Sequence, residues 1–492
     1  MLPARAPFGS PVTRRDFFRH AMYGVGAIAL ADLLNRDGRL MAAPATPRGG
    51  IARPAPHYAA TAKHVIHLYL GGGLSHVDSF DYKPELERYH DKDMPASFGK
   101  ADPFFGKLGR LHRAHYPFKR RGQSGLWVSD LFPEIATVAD ELTVINSMVA
   151  ETANHIPGNY QANTGFRQMG FPSMGAWLSY GLGTENENLP SFVVLPDARG
   201  LPTPGGGAFN WSSGFLPAQH QGVTFNTRGD RPVLDLQPAG KLGAAGQAAR
   251  RDLLRKLNEM HLREQTQTDP LAARIRSYEL AAGMQQTIPE AMDLNAEPDH
   301  VKQLYGLDRD ETRDVARNCL AARRLVERGV RMVQVWTGDG TSWDAHEDIL
   351  ANGYKSHSGE ARRVDRPIAG LIKDLRQRGL LDQTVVLITT EFGRTPYAQS
   401  NAGTIGRGRD HHPEGFTNVM AGGGLKPGVA YGATDAIGYA SVERPVTTYD
   451  MHATVLHLLG IDHEKLTFYH NGIERRLTNV HGEVVRDILA RA

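Results

Sequence analysis

Cysteine is almost absent. Cys319 is the one cysteine among 492 residues, so no intramolecular disulfide can form. Proteins that fold outside the cytoplasm commonly rely on disulfides, whereas one that folds first and is exported afterwards does not need them. Cys319 falls in the helical pattern Val315 to Leu325 and reads as a small buried hydrophobe, not a nucleophile. A surplus of one charge is missing too. Lys and Arg number 56 against 53 Asp and Glu, a formal net charge of +3, and the signs are interspersed. That excludes the clustered basic face a nucleic-acid partner requires. Beyond the N-terminal segment no apolar run reaches the length of a membrane span. Several familiar motifs are also lacking. Gly71-Gly72-Gly73 is neither a Walker A loop nor a dinucleotide fingerprint. Leu350 stands where a zincin motif begun at His346-Glu347 would need its second histidine. Gly122-Gln123-Ser124-Gly125 lacks the spacing of a nucleophile elbow.

What the chain has is histidine. There are 21, and several stand near carboxylates: His76 near Asp78, His346 near Asp344, His411 after Asp410. A metal site needs that pairing and a surface does not. The N-terminus carries a second signal. Thr13-Arg14-Arg15-Asp16-Phe17-Phe18-Arg19 matches the twin-arginine export pattern, and a mildly apolar stretch from Ala21 to Leu34 follows it. Gly24, Gly26 and Asp32 make that stretch too polar to span a bilayer stably, and Ala43-Pro44-Ala45 fits a small-x-small cleavage site. No cysteine follows the apolar run, which excludes a lipoprotein anchor. Residues 1–45 are therefore expected to be a signal peptide, 46–62 a Pro- and Ala-rich linker, and 63–492 the mature, periplasmic domain. Membrane association is expected only through an uncleaved signal. Protein partners are not indicated by any motif.

Alternating apolar runs and helical patterns fill the mature chain. His64 to Leu70 predicts a buried first strand, followed by the Gly71-Gly72-Gly73 loop. Leu131 to Ala139 predicts a helix, Leu142 to Met148 a strand, Asn154 to Gly165 a loop and helix, Ser173 to Gly181 a helix, and Phe192 to Leu195 a short strand. From about residue 200 to 310 the texture changes. It begins Gly- and Pro-rich and continues as long polar helices, Gln247 to Glu264 and Leu271 to Met284, which read as an insertion outside the sheet. The rhythm returns with a helix from Thr312 to Glu327 and a strand from Val330 to Trp336. A helix from Val364 to Arg378 and strands Thr384 to Thr390 and Asn418 to Ala421 come next. A helix from Tyr449 to Leu459, ended by Gly460, is the last. Such alternation predicts an α/β fold with a mostly parallel sheet covered on both faces.

Four loops following these strands carry candidate ligands. They hold His76, Asp78 and Asp81; Asn154 and His155; Asp339, Asp344 and His346; and Glu391, with Asp410-His411-His412 twenty residues on. Parallel strands put such loops at one edge of the sheet. Carboxylates mixed with imidazoles suit zinc, manganese or iron, and two such metals can clamp a transferred phosphoryl or sulfuryl group. Each loop also has a plainer reading. The His76–Asp78 loop can be a capped turn, Asp344 a helix N-cap, and Asp410 to Pro413 a surface turn. Glu391 is harder to explain that way, because a buried carboxylate without a partner is costly.

Five segments occur in order: GGGLSHVDSFDYKPEL from Gly71, NHIPGNYQANTGF from Asn154, TSWDAHEDI from Thr341, TTEFGRTP from Thr389 and GRDHHPEGFTNVMAGGG from Gly408. Together they resemble the bacterial family known as domain of unknown function 1501, from about His64 to the C-terminus, and through it the alkaline phosphatase superfamily of phosphatases, sulfatases and phosphomutases. The resemblance implies a three-layer α/β sandwich that binds one or two divalent ions, with zinc, manganese or calcium as candidates. It implies metal ligands at Asp78 (with His76 or Asp81 as rivals), Asp344, His346, Glu391 and His411. The usual Asp-His-Gly reads Glu391-Phe392-Gly393 here, so the histidine is lost. At the nucleophile's place, spaced as in sulfatases from Thr164-Gly165, stands His155, preceded by Asn154. A hydroxyl or thiol nucleophile is thereby excluded at that place. His155 is left as a nucleophile forming a phospho-histidine, as a metal ligand with attack left to water, or as part of an inactive site. Arg394 and Arg167 are the expected contacts to a substrate anion. The implied function is hydrolysis of a small-molecule or glycan phosphate or sulfate ester. The alternative is a binding or assembly protein on the same fold, with residues 200–310 as its partner surface.

Overall fold

His64–Tyr69 forms the first strand, β1, buried at all six positions. Its alternate side chains part to opposite faces: Ile66 and Leu68 enter one apolar cluster, Val65 and Tyr69 another. A strand buried on both faces reads as a continuous apolar run, which is why it was legible. The structure is a computed structural model. It describes residues 55–101, 103–104, 108–229, 231–233, scattered positions from 246 to 260, 269–399 and 405–490, with backbone alone over 269–278. The twin-arginine stretch, the apolar run, the cleavage site and most of the linker lie outside the described residues, as does much of Gln247 to Glu264.

Nine strands make the main sheet: β1, β2 (Leu142–Val149), β3 (Phe192–Leu195), β4 (Val223–Thr224), β5 (Met332–Trp336), β6 (Thr384–Thr389), β7 (Phe416–Ala421), β8 (Val429–Tyr431) and β9 (Val446–Thr447). Their order is β8-β2-β7-β6-β1-β5-β3-β4, with β9 beside β2. β1 pairs in parallel with β5 and β6. Among the described strands of this sheet, β7 alone runs antiparallel to its neighbours. Because β7 reverses between β6 and β2, those two strands run the same way as β1, and the loops after β1, β2, β5 and β6 open at one edge.

Helices cover both faces. On the first, Leu320 and Leu325 of α4 (Arg313–Glu327) and Leu371 and Leu375 of α5 (His357–Gln377) pack with Ile66, Val333 and Val386. On the second, Trp177 and Leu178 of α2 (Met174–Leu182) and Val455 and Leu456 of α6 (Thr448–Leu458) pack with Val65, Trp336 and Leu387. Full burial of each such aliphatic side chain contributes about 1.5–3 kcal/mol. Met284 and Ile288 of α3 (Asp269–Ala291) join the first cluster, and Ala162 of α1 (His155–Thr164) packs against the second. The fold is α/β, a mostly parallel mixed sheet with helices on both faces, as expected.

Three elements depart from expectation. The helix expected over Leu131 to Ala139 is a 3-10 segment, Ile135–Glu141, interrupted at Val138. Helix α5 starts at His357, ahead of Val364, because Ser356 caps it by accepting from Gly359 N. Its polar first turn is held by Glu360 in ion pairs with Arg199 and Arg363. The segment from 200 to 310 is not wholly apart from the sheet, since Val223–Thr224 extends its edge beside β3.

Candidate metal centre

Helix α1 begins where the loop after β2 turns back over the sheet edge. Asn154 caps it by accepting from Ile156 N, Pro157 occupies the first turn where its missing N–H costs nothing, and Gly165, at φ 77°, ends it. His155 is thus the first helical residue. Glycine brings the neighbouring loops close. A Cβ at Gly72, whose φ is 122°, would lie 2.4 Å from Trp343 N. A Cβ at Gly158 would meet the Glu391 side chain at 3.2 Å.

After β6, the chain does not continue as a loop to residue 412. Gly393–Ala398 and Arg409–His412 form an antiparallel ribbon, with His411 opposite Arg394. The ribbon folds back over the sheet edge, and this brings His411 to His155. Arg394 and Arg409 are both fully buried in it.

The convergence point is Asp344 Oδ1. Around it lie His346 Nε2 at 2.7 Å, His411 Nε2 at 3.0 Å, His155 Nε2 at 3.2 Å and Arg394 Nη2 at 2.7 Å. His346 Nε2 and His411 Nε2 are themselves 3.0 Å apart. His155, Asp344 and His411 offer ligand atoms all within 4.8 Å of one another, the one such group of three or more among the described residues.

The far nitrogens of these rings fix the tautomers. His155 Nδ1 lies 2.7 Å from Glu391 Oε1, and His411 Nδ1 lies 2.6 Å from the Ala153 carbonyl. A carboxylate and a carbonyl only accept, so both Nδ1 atoms carry the proton. In the neutral rings each Nε2 is then a lone pair, aimed at a carboxylate oxygen. Burial and the nearby Arg394 push the His411 pKa down to about 3, against the pull of Asp344, so that ring is neutral. His155 Nε2 is buried and, although near Asp344, makes no hydrogen bond. Burial lowers the His155 pKa, but Asp344 and Glu391 outweigh it and the net direction is up. Burial would raise the Asp344 pKa, yet the three imidazoles and Arg394 hold it far below the usual carboxylate range. Lone pairs facing a carboxylate repel unless a cation lies among them, a need that Arg394, a second proton on His155 or a metal ion can each meet. Imidazoles whose other nitrogen donates to a carboxylate or carbonyl are the usual surroundings of a bound transition metal.

Several expected ligands are elsewhere. Asp78 is not brought to this point. Both its oxygens are taken, by Arg409 Nε at 2.7 Å, Ser75 Oγ at 2.5 Å and His115 N at 2.7 Å, which makes it half of a buried ion pair. Its rivals are also committed. His76 Nε2 lies 2.8 Å from Gly438 O, and Asp81 pairs with Lys83 at 3.0 Å. Glu391 stands behind His155, not beside Asp344. It accepts from Gly72 N at 2.9 Å and Thr390 Oγ1 at 3.0 Å, so it orients the imidazole. Phe392, in place of the lost histidine, packs its ring against His155 and His411 at 5.0 and 4.7 Å. Asn154 is an exposed cap. Arg394, with no exposed surface, binds Asp344 and the carbonyls of Gly72 and Gly73, so it cannot meet a substrate anion from solvent. Arg167 pairs with Glu151 at 3.3 Å and lines an open cleft of about 560 Å³ with Phe166, Tyr449 and His481. Asp339 is bound by Tyr354, Thr341 and Ser342. Neither Gln399, whose side-chain oxygen meets His346 Nδ1, nor Lys355, 3.2 Å from Asp344 Oδ2, was among the sequence candidates. Both lie in segments without apolar periodicity.

A family model described as "Protein of unknown function (DUF1501)" matches residues 62–489. No curated protein matches the sequence. Among solved structures the chain is similar to a phosphonate monoester hydrolase from Silicibacter pomeroyi, at 11% identity and a TM-score of 0.35, covering 73% of this chain and 72% of that one. It is similar to a protein in the alkaline phosphatase superfamily from Vibrio parahaemolyticus, at 12% identity and a TM-score of 0.35, covering 83% and 69%. A sulfatase from Pseudoalteromonas sp. is similar at 13% identity and a TM-score of 0.35, covering 85% and 72%.

Proposed function

The chain belongs to the DUF1501 family, and from that premise we propose that it is an exported, metal-dependent hydrolase of phosphate or sulfate esters. The observation that carries the reading is the convergence of three imidazole Nε2 atoms on Asp344 Oδ1, with the outer nitrogens of His155 and His411 tied to Glu391 and Ala153 O. His155, His346, His411 and Asp344 would hold the ion. Three nitrogens and one oxygen suit zinc or manganese and not calcium, which takes oxygen ligands. A metal there supplies Lewis acidity, polarising an ester oxygen and acidifying water.

The protein's own residues set the rest. Glu391 fixes the His155 ring and its tautomer. Arg394 balances the Asp344 charge from inside, and Phe392 keeps water from the inner side of the imidazoles. His155 has both nitrogens directed at carboxylates, so of the three roles open to it, ligand fits best and phospho-histidine least.

Elemental analysis of the purified protein tests the proposal. About one zinc or manganese per chain is expected, lost in Asp344→Ala and His411→Ala, together with turnover of p-nitrophenyl phosphate or p-nitrophenyl sulfate. No bound metal after reconstitution with either ion overturns it. With His155 tied to Glu391 through Nδ1 and its Nε2 turned to Asp344, no free nucleophile stands at that place, which also favours a second reading, a binding protein that keeps the metal without turnover. Full metal content with no hydrolysis across aryl phosphates and sulfates would select it.

A further inference from the structure

Asp344 faces two cationic side chains that differ in access. Arg394 has no exposed side-chain surface and is held by backbone carbonyls, so it can neutralise Asp344 but cannot greet a solute. Lys355 approaches from outside. Its ammonium is 3.2 Å from Asp344 Oδ2, and 45% of its side chain is exposed. The backbone aims it inward. Lys355 has φ 58°, the left-handed region that side chains other than glycine rarely adopt. Ser356, next in the chain, pins that turn. Its hydroxyl donates to Gly353 O at 2.6 Å and accepts from Gly359 N at 3.2 Å, capping α5. A lysine needed only for solubility would point to water from a relaxed backbone, and a held outlier at a site marks a constraint worth explaining.

We propose that Lys355 is the oxyanion-binding residue of this centre, contacting the phosphate or sulfate group of the substrate and resting on Asp344 when no anion is present. The assignment rests on the metal-dependent hydrolase reading. A divalent ion held by Asp344 would compete with the Lys355 ammonium for the charge of one carboxylate, and like charges on a shared partner repel. Metal binding therefore loosens the Lys355–Asp344 pair. The freed ammonium sits on a flexible four-carbon stem at the rim of the site, suited to meet a tetrahedral oxyanion as a point charge. The two roles give opposite signs. Without Lys355 the ion loses a competitor, while the anion loses a partner.

The test is calorimetric titration of the full-length protein, first with zinc alone, then of the zinc-loaded protein with inorganic phosphate and with inorganic sulfate. Wild type, Lys355→Met and Lys355→Arg are compared. Lys355→Met is expected to bind zinc at least as tightly as wild type and the preferred anion about tenfold or more weaker, the loss of one charge-assisted hydrogen bond. Lys355→Arg is expected to recover most of the anion affinity. The anion with the larger loss indicates the ester class. Phosphate and sulfate affinities of Lys355→Met within twofold of wild type overturn the assignment, as does a parallel fall in zinc affinity, which marks a purely structural residue. If the wild-type protein holds neither zinc nor manganese, the hydrolase reading fails and the assignment falls with it; if it holds either ion and only the anion prediction fails, the assignment falls alone.

Discussion

Asp78 and Asp344 are both buried aspartates at one edge of the sheet, and the partners around them separate their roles. Asp78 is closed on Arg409, a permanent cation that is itself wholly buried. Asp344 is ringed by three imidazoles, and one of its oxygens is reached by an exposed lysine. Removing one partner of a buried pair leaves the other charge uncompensated, at about 3–5 kcal/mol. Asp78→Asn is therefore expected to lower the unfolding free energy by about that amount in urea titrations while leaving metal content unchanged. Loss of metal with unchanged stability would instead restore Asp78 to the ligands. The pH dependence has a definite sign. Burial would raise the Asp78 pKa, but Arg409 and His115 overcome it and hold the folded value below the unfolded one. The pair's stabilisation is thus present above the unfolded value of about 4 and lost progressively as pH falls below it. Asp78→Asn should remove that acid-limb dependence.

The elements that position the site differ in how plainly the sequence announces them. Strands β1, β5 and β6 are apolar runs and were legible to within two residues, because burial on both faces leaves few alternatives. The loops carrying His155, Asp344 and His346 were legible as the ends of such strands. The Gly393–Ala398 and Arg409–His412 ribbon was not. It is buried throughout, yet it contains Arg394, Pro396, Arg409 and Asp410 and has no alternation, because Arg394 and Arg409 are satisfied by ion pairs while Tyr397 packs in a small apolar cluster. His411 could be singled out by type, but its route to His155 depends on pairing that periodicity does not record. The same holds for Glu391, whose carboxylate was visible and whose place behind His155 was set by the Gly72 amide. Helix α1 offers the check at this scale. Asn154 is expected to act only as a cap, so Asn154→Ala should destabilise by about 1 kcal/mol in thermal unfolding, and Asn154→Ser should restore it. Turnover lost in both variants at unchanged stability would make Asn154 a catalytic group.

At the scale of the whole molecule, the near absence of cysteine and the N-terminal arginine pair bear on one question, where the protein folds. The cluster around Asp344 is assembled from three segments, the last being the residue 411 ribbon, and exists only once that ribbon has paired and met His155 and Asp344. A chain passed unfolded across a membrane would have to form that centre outside, where competing ions bind its histidines in an order set by affinity and not by the protein. A chain exported folded carries the ion chosen inside, and it needs no disulfide for the journey, which agrees with Cys319 being buried and alone. Arg14 and Arg15 are the residues on which such export would depend. In cells producing the full chain, replacing both with lysine is expected to move the protein from the periplasmic fraction to the cytoplasm without changing its metal content. Periplasmic protein at wild-type level in that variant would remove the export half of the proposal and leave the metal centre untouched. Retention in the cytoplasm with the metal lost would show that the ion is acquired after export, and that assembly before transport is wrong.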